Sequence, residues 1–243
     1  MTAFKSAVFS GCLALWTVFI GGIIGFPAFF LQRRAAFVIQ RWWGRGVLVL
    51  LRVFAGVRFE IIGREKRPPG NILIASKHQS MWDTVIFLLL EETPPAFVLK
   101  KELIKIPVYG WYCLKAGMLP IDRDGGALAL RALQRLAKQR FAEGRSIVIF
   151  PEGTRMKPGE HQPYQSGVAG LYKILNVPVA PVALNSGLFW PKAGLTGRRG
   201  VIRLEYLDPI PPGLDKRAFL DLLEARIEPA TRRLEAMEAA PPL

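Results

Sequence analysis

Histidine and cysteine are the scarce reactive residues of this 243-residue chain, with two of each. Cys12 and Cys113 cannot build a disulfide framework, and neither belongs to a C-x-x-C pair or to a cluster with metal-ligand spacing. That excludes a disulfide-stapled secreted module and a zinc site, no metal is expected, and a reducing compartment fits. The G-x-x-x-x-G-K-[ST] phosphate loop and the dinucleotide fingerprint are also missing, which argues against a nucleoside triphosphate site. Ser80 has no G-x-S-x-G elbow around it, so it is expected to hydrogen-bond within its own turn rather than act as a nucleophile. Cys113 has little to support it as a nucleophile either.

Acidic residues are absent from the first 59 positions. Seven basic residues precede Glu60, namely Lys5, Arg33, Arg34, Arg41, Arg45, Arg52 and Arg58, so half of the net charge of +14 lies in the first quarter of the chain. Such a balance suits nucleic acid, a membrane surface or an anionic substrate. Here the arginines alternate with strongly apolar sequence, which favours the membrane over nucleic acid, and hydrophobic residues make up 51% of the whole.

No charge at all occurs in the 27 positions between Lys5 and Arg33. A bilayer span needs about 20 apolar residues, so the run is long enough. Gly21, Gly22, Gly25 and Pro27 would loosen or kink it, which keeps a re-entrant or surface-lying hairpin open beside a full span. A cleavable signal peptide fits worse, because the run is too long and no A-x-A site follows. In the next segment Arg34, Arg41, Arg45 and Arg52 stand at offsets 0, 7, 11 and 18, which at about 100° per residue share a narrow sector of one helix. With Trp42 and Trp43 beside them, they suit a helix lying at the lipid headgroups; an amphipathic helix packed on the core is the alternative. If the first segment spans, these arginines place the rest of the chain on the cytoplasmic face.

From Arg58 onward short β-branched runs alternate with helical stretches, which divides the chain into membrane-associated helices over 1–57 and a second domain over 58–243. Strands are expected at Arg58–Ile62, Asn71–Ser76, Ala96–Leu99, Gly117–Ile121, Ser146–Phe150, Val179–Leu184 and Val201–Tyr206. Helices are expected at Asp83–Leu90, Gly126–Glu143, Ser166–Leu175 and Asp215–Met237, the last kinked or broken by Pro229. The fold class is α/β, with a mixed, mostly parallel sheet flanked by helices and an N-terminal membrane-associated helical segment.

Three polar clusters each follow directly on an apolar strand: Lys77-His78-Gln79-Ser80, Asp122-Arg123, and Pro151-Glu152-Gly153-Thr154-Arg155. Ligands gather at the carboxyl ends of strands in open α/β sheets, so clusters distant in sequence can share one site. His78 can serve as a neutral-pH base, with Asp83 at the start of the next helix reaching back to one ring nitrogen. A loop histidine beside a helix-capping aspartate fits the same spacing. Arg123 and Arg155 present planar forks suited to phosphate, or to structural ion pairs. Gly153 would let backbone N–H groups approach an anion. His161, in a polar loop, is expected at the surface.

These residues together resemble the glycerolipid acyltransferase family, most of all its 1-acylglycerol-3-phosphate acyltransferases. The H-x-x-x-x-D motif is met by His78 and Asp83, and a second block by Ile121-Asp122-Arg123. The third, F-P-E-G-T-R, is intact from Phe150 to Arg155, and a proline-bearing apolar block resembles Val177 to Val182. The match runs from about Asn71 to Trp190. Lys77 departs from the asparagine often found there, and a cation at that position could lower the pKa of His78 or bind substrate phosphate. The resemblance implies that His78, oriented by Asp83, deprotonates an acceptor hydroxyl that attacks a thioester directly. It implies that Arg123, Glu152, Gly153 and Arg155 hold a glycerol-phosphate end, with Lys100 or Lys101 as further contacts. The implied partners are the lipid bilayer, a lysophospholipid acceptor and an acyl-CoA or acyl-carrier-protein donor, with no cofactor and no nucleic acid. Acyl transfer to glycerol 3-phosphate or another lyso-lipid, and a non-catalytic membrane-binding role, are the alternatives.

Overall fold

The alternation of apolar residues along the central strands decides which layer of helices each side chain meets. In the computed structural model, which describes residues 3–25, 33–107, 109–123, 125–196 and 198–239, Leu73 and Ala75 point into one apolar cluster and Ile72 and Ile74 into another. Ile147 and Ile149 divide from Val148 in the same way. Side chains a period of two apart lie on opposite sheet faces, so these strands are covered on both sides and read as unbroken apolar runs.

Seven strands form the sheet: β1 (Val57–Ile62), β2 (Leu73–Ser76), β3 (Ala96–Lys100), β4 (Leu119–Ile121), β5 (Ile147–Ile149), β6 (Val179–Leu184) and β7 (Gly200–Tyr206). Their spatial order is β1-β7-β6-β2-β5-β3-β4. The five from β6 to β4 run parallel, while β7 meets β6 antiparallel and carries β1 parallel to itself. The sheet is therefore mixed and mostly parallel, as the sequence pattern predicts. Because β2 to β6 run in one direction, the segments after each of them emerge along a single edge.

Helices α1 (Ala3–Val18), α2 (Arg33–Leu50), α3 (Trp82–Leu90) and α4 (Tyr109–Lys115) contribute to one apolar cluster or its border. Helices α5 (Gly126–Ala142), α6 (Ser166–Leu175) and α7 (Lys216–Ala239) contribute Leu133, Val168, Leu171, Phe219 and Ile227 to the other. Helix α7 is continuous through Pro229, so of the kink or break expected there the break does not occur. Leu133 and Ala137 of α5 are buried and Leu130 and Phe141 partly so, while Arg140 is buried and donates through Nε to the Gly117 carbonyl at 3.0 Å. The sequence pattern overlooks α4, which is too short to display a helical period.

The two N-terminal helices form an antiparallel pair. Gly25 lies beside Ile39, while Trp16 lies against Gly46, where even one Cβ would fall inside its indole ring. Only glycine allows that approach. The Trp16 indole donates to the Trp43 carbonyl at 3.0 Å, and the Trp43 indole to Thr17 Oγ1 at 3.1 Å. Phe9, Val47 and Leu51 then enter the same core as Trp82, Val85 and Trp190. Both ends of the pair thus return to the α/β layers, and residue 57 divides two stretches of sequence that share one core.

This packing corrects part of the expected membrane-facing stripe. Arg41 is turned inward, donating to the Glu91 carbonyl at 2.9 Å and the Leu89 carbonyl at 3.4 Å. Those carbonyls close the C-terminal end of α3, where the helix dipole and unpaired acceptors attract a cation. Trp43 is likewise held between helices, whereas Trp42, Arg45 and Arg52 are exposed beside Val38, Val49 and Val53. The Arg34 side chain lies outside the described residues.

Candidate active site

His78 stands two residues beyond β2, and Asp83 occupies the first turn of α3. The chain between them folds around the aspartate. Asp83 Oδ2 accepts the N–H groups of Gln79 at 2.7 Å and Ser80 at 2.8 Å, and lies 3.0 Å from His78 Nδ1. Oδ1 accepts the Ser186 hydroxyl at 2.5 Å. Asp83 is fully buried, and these four donors replace the water it has lost. With Asp83 ionised, the ring proton sits on Nδ1, which leaves Nε2 to accept a proton. Ser80 does serve its own turn, since its hydroxyl accepts the Trp82 N–H at 3.1 Å.

The turn after β5 supports the histidine from behind. The Phe150 ring stacks on the imidazole with centroids 3.9 Å apart. Glu152 Oε2 accepts the His78 backbone N–H at 3.1 Å, and the His78 carbonyl accepts the Met156 N–H at 2.8 Å. Glu152 Oε1 receives the Lys77 ammonium at 2.6 Å. Both carboxylate oxygens are thus committed and buried, so Glu152 braces His78 instead of meeting substrate phosphate as expected. Burial pushes its carboxyl up to about 7, against the downward pull of Lys77 and of the His78 N–H.

Lys77 is equally buried and reaches Glu228 as well as Glu152, so it is not available to a phosphate. Charges this deep persist only when paired, and the two carboxylates meet that need.

Gly153 adopts φ 75°, a left-handed conformation in which a side chain is strained. A Cβ at this position would lie 3.4 Å from the guanidinium carbon of Arg123, so the end of β4 and the turn after β5 meet here. Arg123 and Arg155 are both exposed. Lys100 ends β3 beside β4, Lys101 follows it, and both are exposed; Lys101 lies 3.4 Å from Asp122. Five cationic or anion-tolerant positions therefore gather at the edge where His78 stands. His161 is exposed, 3.7 Å from Glu224, as expected of a surface residue. Ser186 and Phe150 were not singled out in the sequence. Ser186 follows β6 by two residues, so the strand-end rule that marks the other clusters also reaches it.

Residues 58–185 match the acyltransferase family. A protein of Pseudomonas aeruginosa named 1-acyl-sn-glycerol-3-phosphate acyltransferase is 37% identical over 191 residues, which is 77% of this chain and 74% of that protein. The human 1-acyl-sn-glycerol-3-phosphate acyltransferase alpha is 26% identical over 212 residues, 86% of this chain and 72% of the human one. The crystal structure of the 1-acyl-sn-glycerophosphate acyltransferase of Thermotoga maritima has the same fold, with a TM-score of 0.75, 22% identity and full coverage of both chains. The chain belongs to the acyltransferase family.

Proposed function

We propose that this enzyme transfers an acyl chain from a CoA or acyl-carrier-protein thioester to the sn-2 hydroxyl of lysophosphatidic acid, giving phosphatidic acid. The observation that carries the chemistry is the 3.0 Å contact between His78 Nδ1 and a buried Asp83, which readies Nε2 as a general base. Nε2 takes the hydroxyl proton as the oxygen attacks the thioester carbonyl. The tetrahedral intermediate collapses with loss of thiolate, and the imidazolium returns the proton to the sulfur. Asp83 steadies the positive ring between these steps. No covalent enzyme intermediate is needed, which agrees with the lack, among the described residues, of a serine or cysteine bonded to the His78 ring.

Arg123, Arg155 and the backbone at Gly153 are the proposed phosphate grip, with Lys100 and Lys101 adding positive potential. Initial rates with one acyl-CoA and a panel of acceptors test the assignment. Lysophosphatidic acid should exceed both glycerol 3-phosphate and neutral lyso-lipids in kcat/KM. A preference for glycerol 3-phosphate or for a neutral acceptor would overturn it.

The same reading seats the N-terminal helix pair in the bilayer, with the catalytic domain on the cytoplasmic face. Ser6–Ile24 is apolar and long enough to cross a membrane, and Leu15, Val18, Phe19 and Ile23 are exposed. Since both ends of the pair return to the α/β layers, a hairpin entering one leaflet fits better than a one-way span. Apolar anchoring is not screened by salt, so full-length protein should stay with membranes through a high-salt wash. Val18→Asp with Ile23→Asp should release it while leaving the fold intact, as read by fractionation and circular dichroism. Membrane retention of that double variant would refute the placement. Deleting residues 1–56 is a poorer test, because it strips Phe9, Val47 and Leu51 from the core.

A further inference from the structure

Both neighbours of His78 are held by one helix that carries no part of the family motifs. Lys77 Nζ donates to Glu228 Oε1 at 2.9 Å and Oε2 at 2.8 Å, and the Tyr164 hydroxyl donates to the same carboxylate at 2.8 Å. Gln79 Nε2 donates to Glu235 Oε1 at 2.7 Å, while Glu235 Oε2 accepts the Gly159 N–H at 3.0 Å. The far side of the Gln79 amide accepts the Gly187 N–H at 3.1 Å, next to the serine that bonds Asp83. Glu228 and Glu235 are seven residues apart, so they project from the same face of α7, about 10.5 Å apart along its axis. Helix α7 lies beyond residue 185, where the family match ends.

We propose that α7 is a positioning element for acyl transfer, its Glu228 and Glu235 clamping the residues on either side of His78 and so fixing where Nε2 points. Neither carboxylate touches the imidazole. Glu228 acts through Lys77, whose ammonium also holds the Glu152 that binds the His78 N–H; Glu235 acts through Gln79, whose own N–H binds Asp83. A base must meet its proton within hydrogen-bond reach, so a small swing of this loop is felt in the transition state. The inference rests on the acyl-transfer assignment above.

The test exchanges donor and acceptor across the Gln79–Glu235 contact in full-length, detergent-solubilised enzyme. Gln79→Glu sets two carboxylates face to face and should lower kcat about 10- to 100-fold, with KM for lysophosphatidic acid changed less than about threefold. Glu235→Gln alone should be mild, because the new amide oxygen still accepts from Gln79 and the Gly159 N–H it gives up is exposed to water. Combining the two restores a donor opposite an acceptor and should return kcat to within about threefold of wild type. Glu224→Gln, on the same helix but paired with exposed His161, should leave kcat unchanged. Circular dichroism sets a temperature at which each variant is folded. If Gln79→Glu does not fold, Glu235→Ala, which removes a half-buried carboxylate and adds no charge, should still lower kcat about tenfold at unchanged KM. Wild-type kcat in a folded Gln79→Glu or Glu235→Ala enzyme would overturn the proposal. So would a loss that falls on KM, or one that the double variant does not recover. A wild-type enzyme inactive with every acceptor would instead overturn the acyl-transfer assignment.

Discussion

His78→Ala is expected to lower kcat by about 10²- to 10⁴-fold while leaving the protein folded. A positioned general base contributes about that factor, or roughly 3–5 kcal/mol of transition-state stabilisation. The side chain is partly exposed at 15%, so its removal opens no sealed cavity. Its backbone N–H and carbonyl, bonded to Glu152 and Met156, do not depend on the ring. Asp83→Asn should fall in the same range for a different reason. An amide can keep the loop by accepting the Gln79 and Ser80 N–H groups through its oxygen, but it no longer carries the charge that stabilises a protonated imidazole. Turned the other way, it offers N–H groups to three donors. Initial rates at saturating donor and acceptor, with circular dichroism as the folding control, decide the matter. Near-normal turnover in folded His78→Ala enzyme would remove His78 from the chemistry.

Arg155→Ala is expected to raise the apparent KM for lysophosphatidic acid about 10- to 150-fold. A charge-assisted contact to phosphate is worth roughly 1.5–3 kcal/mol, and each 1.4 kcal/mol is about tenfold. An acceptor without a terminal phosphate never makes that contact and should be affected much less. Arg155→Lys should recover only part of the loss, because the ammonium keeps the charge but not the planar fork. Gly153→Ala should disturb the same turn, because its φ of 75° disfavours any side chain and the new methyl would crowd Gln165 Cγ at 3.3 Å. Parallel titrations of lysophosphatidic acid and a neutral lyso-lipid provide the measurement. An equal rise for both acceptors would make Arg155 structural or donor-facing.

The strand-end clusters were legible in the sequence because parallel strands send their C-terminal segments to one edge. That single rule brings His78, Arg123 and Glu152 together from three parts of the chain. The motif residues themselves could be named, and Asp83 meets His78, one of the two arrangements that the spacing left open. What spacing could not separate was contact with substrate from contact with protein. Glu152 lies in the same turn as Arg155, but its partner Lys77 lies 75 residues away, and only the packed structure shows that both are buried together. Arg41 misled for a related reason. Helical phase put it with Arg45 and Arg52, and nothing local revealed the α3 carbonyls waiting beside it. The short helix α4 was hidden because it leaves no periodic pattern, whereas Ser186 lay within reach of the strand-end rule and carried no motif to single it out.

The shared core of the N-terminal hairpin has a consequence for how the enzyme meets its substrate. Phe9, Val47 and Leu51 interlock with Trp82 and Val85, which flank Asp83 on α3. No flexible tether separates the hairpin from the base. With the hairpin seated in a leaflet, immersion depth and catalytic height become one variable, and His78 hangs at a set level relative to the glycerol backbone of a lipid still in place. The acceptor can then react without leaving its monolayer, and the soluble thioester makes the journey. On the proposed placement, thickening or thinning the leaflet would shift that level and make lipid composition a control on rate that acts without altering any residue of the site.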